Sequence, residues 1–163
     1  MLTQIGAQAE GVGAHEELFA YWASRRERGR LPCRASIHPG HFKHHLPTIS
    51  LVDVRSDPLC YRLRLAGTAL YSVYGREITG RTLEEIYNSA AADYWRRELD
   101  QVVKERRAAV GVHNLGWRGA PHISILWIRL PLASNGTDVD MILGYDRIIG
   151  HANESAASGI RAA

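Results

Sequence analysis

An α+β domain built on a five-stranded antiparallel sheet is what this sequence predicts, on three observations. Two strand-like runs stand together at 48–55 and 61–65, the second alternating apolar and charged residues. Three more stand at 110–117, 121–133 and 139–146, and the stretch between the two groups reads as helix and turn. Strands gathered at both ends of a helical middle, without strand–helix alternation, make a sheet with one face covered by helices rather than a parallel α/β sheet.

Each element has its own warrant. HEELFAYWASRRERG predicts an N-terminal helix over 15–28: Glu16 and Glu17 open it, Arg25, Arg26 and Arg28 close it, and Gly29 follows as a stop. Leu18, Phe19 and Trp22 give it one narrow apolar stripe, which must lie on the domain or on a second subunit. A connecting segment from Leu31 to Pro47 holds a short helix with Pro39 in its first turn and Phe42 and Leu46 as an apolar pair. Thr48–Arg55 is β-branched, Ser56-Asp57-Pro58 is a turn, and Tyr61, Leu63 and Leu65 alternate with Arg62 and Arg64 as a half-buried strand. A short helix from Ala69 ends at Gly75, and Thr82 with Glu85 three residues on is a capping box. Ala90–Ala109 is the strongest helical pattern, with Trp95, Leu99, Val102 and Val103 on one face. Arg96, Asp100, Lys104 and Arg107 lie on the other, spaced for i,i+4 ion pairs. In the long strand 121–133, Ser124, Leu126, Ile128 and Leu130 share a face, and Arg129 on the opposite face predicts that this even-numbered set points inward. Asn135-Gly136 turns the chain into a last strand carrying Val139, Met141, Leu143 and Tyr145.

Composition narrows the function. With 163 residues, 45% of them hydrophobic and 23% charged, the chain suits one domain with its own core. A net charge of +3, read over the whole chain, is spread rather than gathered into one stripe, which argues against nucleic acid. Cys33 and Cys60 have neither metal-site nor disulfide spacing. The first residues lack a signal peptide's basic and apolar regions, and no apolar run approaches the roughly 20 residues that span a bilayer. A cytoplasmic protein without membrane partners is expected.

Three local patterns invite chemistry. Gly75 to Thr82 has the G-x4-G spacing of a phosphate loop, but a helix precedes it, Arg81 replaces the lysine and Ile78 crowds the cradle, so turn glycines are the better reading. His38, His41, His44 and His45 cluster, and His41 and His45 are spaced for one helix face. They are candidate metal ligands for a metal or haem sensor, but no third ligand stands beside them. Arg96, Arg97, Lys104, Arg106 and Arg107 are interleaved with Glu98, Asp100 and Glu105, as on a solvated helix. No Ser/His/Asp or Cys/His spacing points to catalysis.

The order of elements is that of a PAS domain, and the wording of the sequence is similar to a bacterial family of small stand-alone PAS-like proteins. The resemblance runs from Leu18-Phe19-Ala20-Tyr21-Trp22 and Leu31-Pro32 through Tyr74-Gly75-Arg76-Glu77-Ile78-Thr79-Gly80-Arg81 to Leu130-Pro131-Leu132 and Met141-Ile142-Leu143-Gly144. It implies an α+β, PAS-like five-stranded antiparallel sheet, with short helices and one long helix on one face and an N-terminal helix added. A single domain then covers 15–149 between mobile ends at 1–14 and 150–163. It further implies a non-enzymatic sensory or regulatory module acting through a small ligand, through protein contacts, or both. It names no cofactor and transfers no catalytic residue. The pocket it implies would be lined by Tyr71, Tyr74, Tyr87, Tyr94, Ser124, Leu126, Ile128 and Met141, unless those side chains simply fill the core of a protein-interaction adaptor. A homodimer is expected through Leu18, Phe19 and Trp22, with a signalling protein as a further partner.

Overall fold

The structure is a computed structural model that describes residues 13–150. Its strands are β1 (Ile49–Ser56), β2 (Leu59–Ala66), β3 (Ala109–Leu115), β4 (Ala120–Leu132) and β5 (Met141–Gly150). All neighbours are antiparallel, in the order β2-β1-β5-β4-β3. Helices α1 (Gly13–Ser24), α2 (Thr68–Tyr74), α3 (Leu83–Ile86) and α4 (Ser89–Glu105) complete the fold, with a 3-10 segment at Pro39–Thr48. The mobile ends expected at 1–14 and 150–163 lie outside the described residues except for Gly13, Ala14 and Gly150, which belong to α1 and β5.

Residues opposite each other in an antiparallel pair share a face, so the register sorts the sheet. Ser50 pairs with Gly144, Val52 with Leu63 and Ile142, Arg129 with Gly144, and Trp127 with Asp146. These residues form the face turned toward α2, α3 and α4, where Tyr61 Oη donates to Asp100 Oδ1 of α4 at 2.5 Å. The other face carries Ile49, Leu51, Ile128, Leu130, Leu143 and Tyr145. Helix α1 lies against it: Trp22 Nε1 donates to the Pro131 carbonyl at 2.9 Å, and His15 Nε2 meets the Leu126 carbonyl at 3.0 Å.

Several expectations need correcting. Leu18 and Trp22 are 1% and 2% exposed, taken up by the protomer's own sheet, and Phe19 is half-buried against Trp22. The apolar stripe is therefore spent within the chain and does not present the proposed dimer face. Helix α1 ends at Ser24 rather than at 28, and the left-handed backbone of Arg28 and Gly29 (φ 50° and 77°) bars any helix from reaching 28. Leu65 is exposed, unlike Tyr61 and Leu63, because the register slips one residue between Leu51 and Val52 and the resulting bulge breaks the alternation. On α4 the buried stripe Trp95, Leu99 and Val102 is as expected, but the i,i+4 ion pairs are not. Arg96 turns instead to Asp93 and to Glu84, while Asp100 accepts the Tyr61 hydroxyl.

Local capping follows the sequence closely. Thr82 and Glu85 form both bonds of the capping box that opens α3. Asn88 Oδ1 accepts from Ala91 N at 2.9 Å to open α4, and Gly75 closes α2 in the left-handed conformation.

Candidate functional site

At the centre of the helix-facing side of the sheet, two charges are buried. Arg129 on β4 and Asp146 on β5 are 5% and 2% exposed, and Arg129 Nη1 donates to Asp146 Oδ1 at 2.7 Å. The same nitrogen donates to the Ile128 carbonyl at 3.0 Å and lies 3.4 Å from the Tyr145 carbonyl. The guanidinium carbon stands 4.7 Å from the ring centre of Trp95 and 5.6 Å from that of Trp127. Cation–π attraction of this kind strengthens as water is excluded. Glycine makes the arrangement fit: a Cβ on Gly144 would sit 2.5 Å from Ser50 Oγ and 3.0 Å from Arg129 Nη1. Burial alone would pull the guanidinium's pKa down, but the Asp146 carboxylate outweighs it and holds Arg129 above its ordinary value.

Helices close over this pair. Tyr74 at the end of α2 and Tyr87 just after α3 bring their hydroxyls within 2.9 Å of each other, with rings edge to face at 5.8 Å. Burial pushes both phenols well up from their ordinary range. Trp95 and Leu99 of α4, Leu70, Ile78 and Leu83 finish the enclosure. What remains open is about 20 Å³, close to the smallest space that holds a water molecule. Drug-sized ligands occupy pockets of roughly 300 Å³ or more.

Of the expected pocket residues, only Tyr74 and Tyr87 line this space. Tyr71 is 57% exposed on the far side of α2. Tyr94 stacks on His113 at 4.3 Å and receives Trp127 Nε1 at 3.0 Å, bracing α4 against β3 and β4 beside the cavity rather than in it. Ser124, Leu126, Ile128 and Met141 belong to the opposite face of the sheet, by the register that puts Arg129 inside. Ser124 is held by Asn114 Nδ2 at 3.0 Å, and the Leu126 carbonyl by His15. The expected phase of β4 was inverted because a charge was assumed to point outward; an interior charge is tolerated when another of opposite sign meets it. Arg129, Asp146 and Trp127 were missed on that account. A signal was present: β4 is apolar on both faces, so a lone arginine in it had no wet side to face.

His41 and His45 do not converge. His41 stacks on Tyr21 at 5.2 Å with the His38 ring 6.2 Å away, while His45 turns to Glu17 at 3.2 Å and to the edge of Tyr145. The 3-10 backbone, kinked at Phe42, removes the helical spacing that would have aligned them. Among the described residues no group of three His, Cys, Asp or Glu side chains is placed to hold a metal ion. The Gly75–Thr82 segment is tied down as a turn, with Gly80 N bonded to the Leu63 carbonyl and Arg81 Nε to the Glu77 carbonyl.

Sequence comparison decides the family, since residues 12–146 match the profile described as PAS domain. The chain belongs to the PAS-domain family. Solved structures agree on the fold. The Rhodobacter sphaeroides LOV protein is 17% identical with a TM-score of 0.51, covering 90% of this chain and 76% of its own. A PAS domain from Colwellia psychrerythraea is 11% identical with a TM-score of 0.50, covering 68% of this chain and 96% of its own. A sensory box sensor histidine kinase from Vibrio cholerae is 14% identical, also at 0.50, covering 69% and 89%. No curated protein matches the sequence. Among the described residues of this PAS protein, no helix is long and apolar enough to cross a membrane. Membership of the family makes it a sensory or regulatory module.

Proposed function

We propose that this PAS protein is a non-enzymatic regulatory module that acts in the cytoplasm through contacts with other proteins, from a core filled by its own side chains. One observation carries the reading: the space between sheet and helices is about 20 Å³, and Tyr74, Tyr87, Trp95 and Arg129 occupy the place a ligand would need. Of the polar groups around it, Arg129 pairs with Asp146 and Tyr74 with Tyr87, while the buried Trp95 Nε1 has no hydrogen-bond partner. Phenols pushed above their ordinary range by burial and a guanidinium locked in an ion pair do not exchange protons near neutral pH, which argues against acid–base catalysis there. Free thiols at Cys33 and Cys60 suit a reducing compartment. Dimerisation through Leu18 and Trp22 forms no part of the proposal, because the protomer's own sheet already takes both. Native mass spectrometry of the purified protein tests it. The expected spectrum shows the mass of the polypeptide alone or a whole multiple of it. A co-purifying organic molecule that leaves only on denaturation would overturn the filled core.

A further inference from the structure

We infer that residues 25–34 form a docking surface for an acidic segment of a partner protein. This rests on the reading of the chain as a module that works by protein contact, and it names the chemistry of the contact. Counted by segment, the charge is less even than the whole chain suggests. Five arginines against one glutamate give residues 25–34 a charge of +4, more than the +3 of the entire protein, so everything else sums to −1. Arg26, Arg28, Arg30 and Arg34 are exposed. None of the five is in an ion pair with a carboxylate, in contrast to Arg64, Arg96, Arg106 and Arg129. Arg26, Arg30 and Arg34 make only single bonds to nearby backbone carbonyls, of Gly29, Asn135 and Ile37, whereas Arg25 is half-buried with its Nε inside.

The segment is also built rather than slack. Arg30 N bonds to the Glu27 carbonyl at 2.9 Å around Arg28 and Gly29, both with positive φ, which is the pattern of a type I′ turn. Leu31 N to the Gly136 carbonyl and Ala133 N to the Pro32 carbonyl, both 2.9 Å, pin the base of the loop to the β4–β5 connection. Left-handed backbone at the turn favours glycine or asparagine, yet Arg28 occupies it. A tight turn thus carries arginine at its tip and on both flanks.

Arginine without lysine in this segment favours planar, two-pronged acceptors, as carboxylates are. Nucleic acid shares that preference but usually adds stacking, and residues 25–37 contain no aromatic side chain. The nearest rings are engaged: Arg25 lies over Tyr21, whose ring also stacks on His41, and Arg26 lies over Trp22. Charged neighbours do not cancel the surface, since Asp138 is shared between Arg106 and Asn135, and Asp140 caps Ser134 N.

Fluorescence anisotropy on the full chain, with a labelled glutamate-rich peptide of roughly ten residues at low salt, tests this. Saturable binding is expected, weakened at least about tenfold in Arg26→Glu/Arg28→Glu/Arg34→Glu. The control Arg97→Glu/Lys104→Glu/Arg107→Glu makes the same change in net charge at exposed positions on α4 and just after it, and should stay within about twofold of the parent. Arg28→Gly suits the left-handed backbone and so folds, and it should still weaken binding by about two- to threefold. No binding of the peptide, equal losses in both triple variants, or an oligothymidine of equal length binding more tightly would each overturn the proposal. Native mass reads the core and anisotropy reads the surface, so either reading can fail alone.

Discussion

Removing the carboxylate of Asp146 while leaving Arg129 in place should be among the most damaging single changes in this domain. In Asp146→Leu the guanidinium keeps its bond to the Ile128 carbonyl and its two tryptophan faces, but loses the 2.7 Å partner that balances its charge. Breaking one side of a buried pair typically costs about 3–5 kcal/mol, and the residual contacts argue for the lower figure. Against a total stability of roughly 5–15 kcal/mol, a loss of ~3 kcal/mol is large. For a domain of this size it corresponds to a fall in Tm of roughly 10 °C. The double variant Arg129→Met/Asp146→Leu removes both charges at similar volume. It should recover most or all of the loss, since apolar replacement of a buried pair is often neutral or stabilising. Thermal and urea melts followed by circular dichroism, on parent, both singles and the double, give the coupling directly. If Asp146→Leu costs less than ~1 kcal/mol, or the double variant is no better than the single, the charges are not held in a dry core and the description of the site is wrong.

Four further outcomes are expected. Burial, the largest cause in each case, lowers the pKa of His15 and His113, so both stay neutral in the fold more readily than in the unfolded chain. Stability is then constant above the unfolded value near 6.5 and falls as pH drops through it toward the lower native values, because the unfolded chain takes up protons first. Melts between about pH 5 and 8 should show that fall, and His15→Gln should flatten it; a curve unchanged by the substitution would mean that His15 does not contribute. Gly144→Ala places a methyl against Ser50 Oγ and Arg129 Nη1 and should cost about 1–3 kcal/mol in the same melts. Arg28→Gly relieves a positive φ and should raise stability by up to ~1 kcal/mol, whereas Arg28→Val should lower it. Asn88→Ala removes the acceptor for Ala91 N and should cost about 1 kcal/mol, seen as a lower urea midpoint at unchanged slope.

Elements whose signal is local were legible in the sequence. The capping box at Thr82 and Glu85, the Asp57-Pro58 turn and the stripe of α4 each depend on residues a few positions apart, and each formed as read. Alternation alone could not set the phase of β4, because both of its faces are apolar and the pattern then carries no direction. The arginine from which the phase was read, Arg129, finds its partner in the neighbouring strand, 17 residues along the chain. That single inversion sent Ser124, Leu126 and Ile128 into a pocket they do not touch. Helix α2 is too short for its pattern to tell exposed Tyr71 from buried Tyr74. The arginine-rich loop was hidden differently, since a composition summed over the whole chain averages away a charge confined to one turn.

Strands β4 and β5 carry the Arg129–Asp146 pair on one side and support α1 on the other. The atoms involved are neighbours in the backbone. The Ile128 carbonyl that accepts from Arg129 lies between the Leu126 and Pro131 carbonyls that hold His15 and Trp22. Tyr145, one residue before Asp146, meets the edges of both His15 and His45. The two strands therefore form a layer one residue thick between an inner charge and an outer helix. The Arg129 guanidinium on one side, and the His15 and Trp22 side chains of α1 on the other, are thus bonded to carbonyls of the same strand, β4.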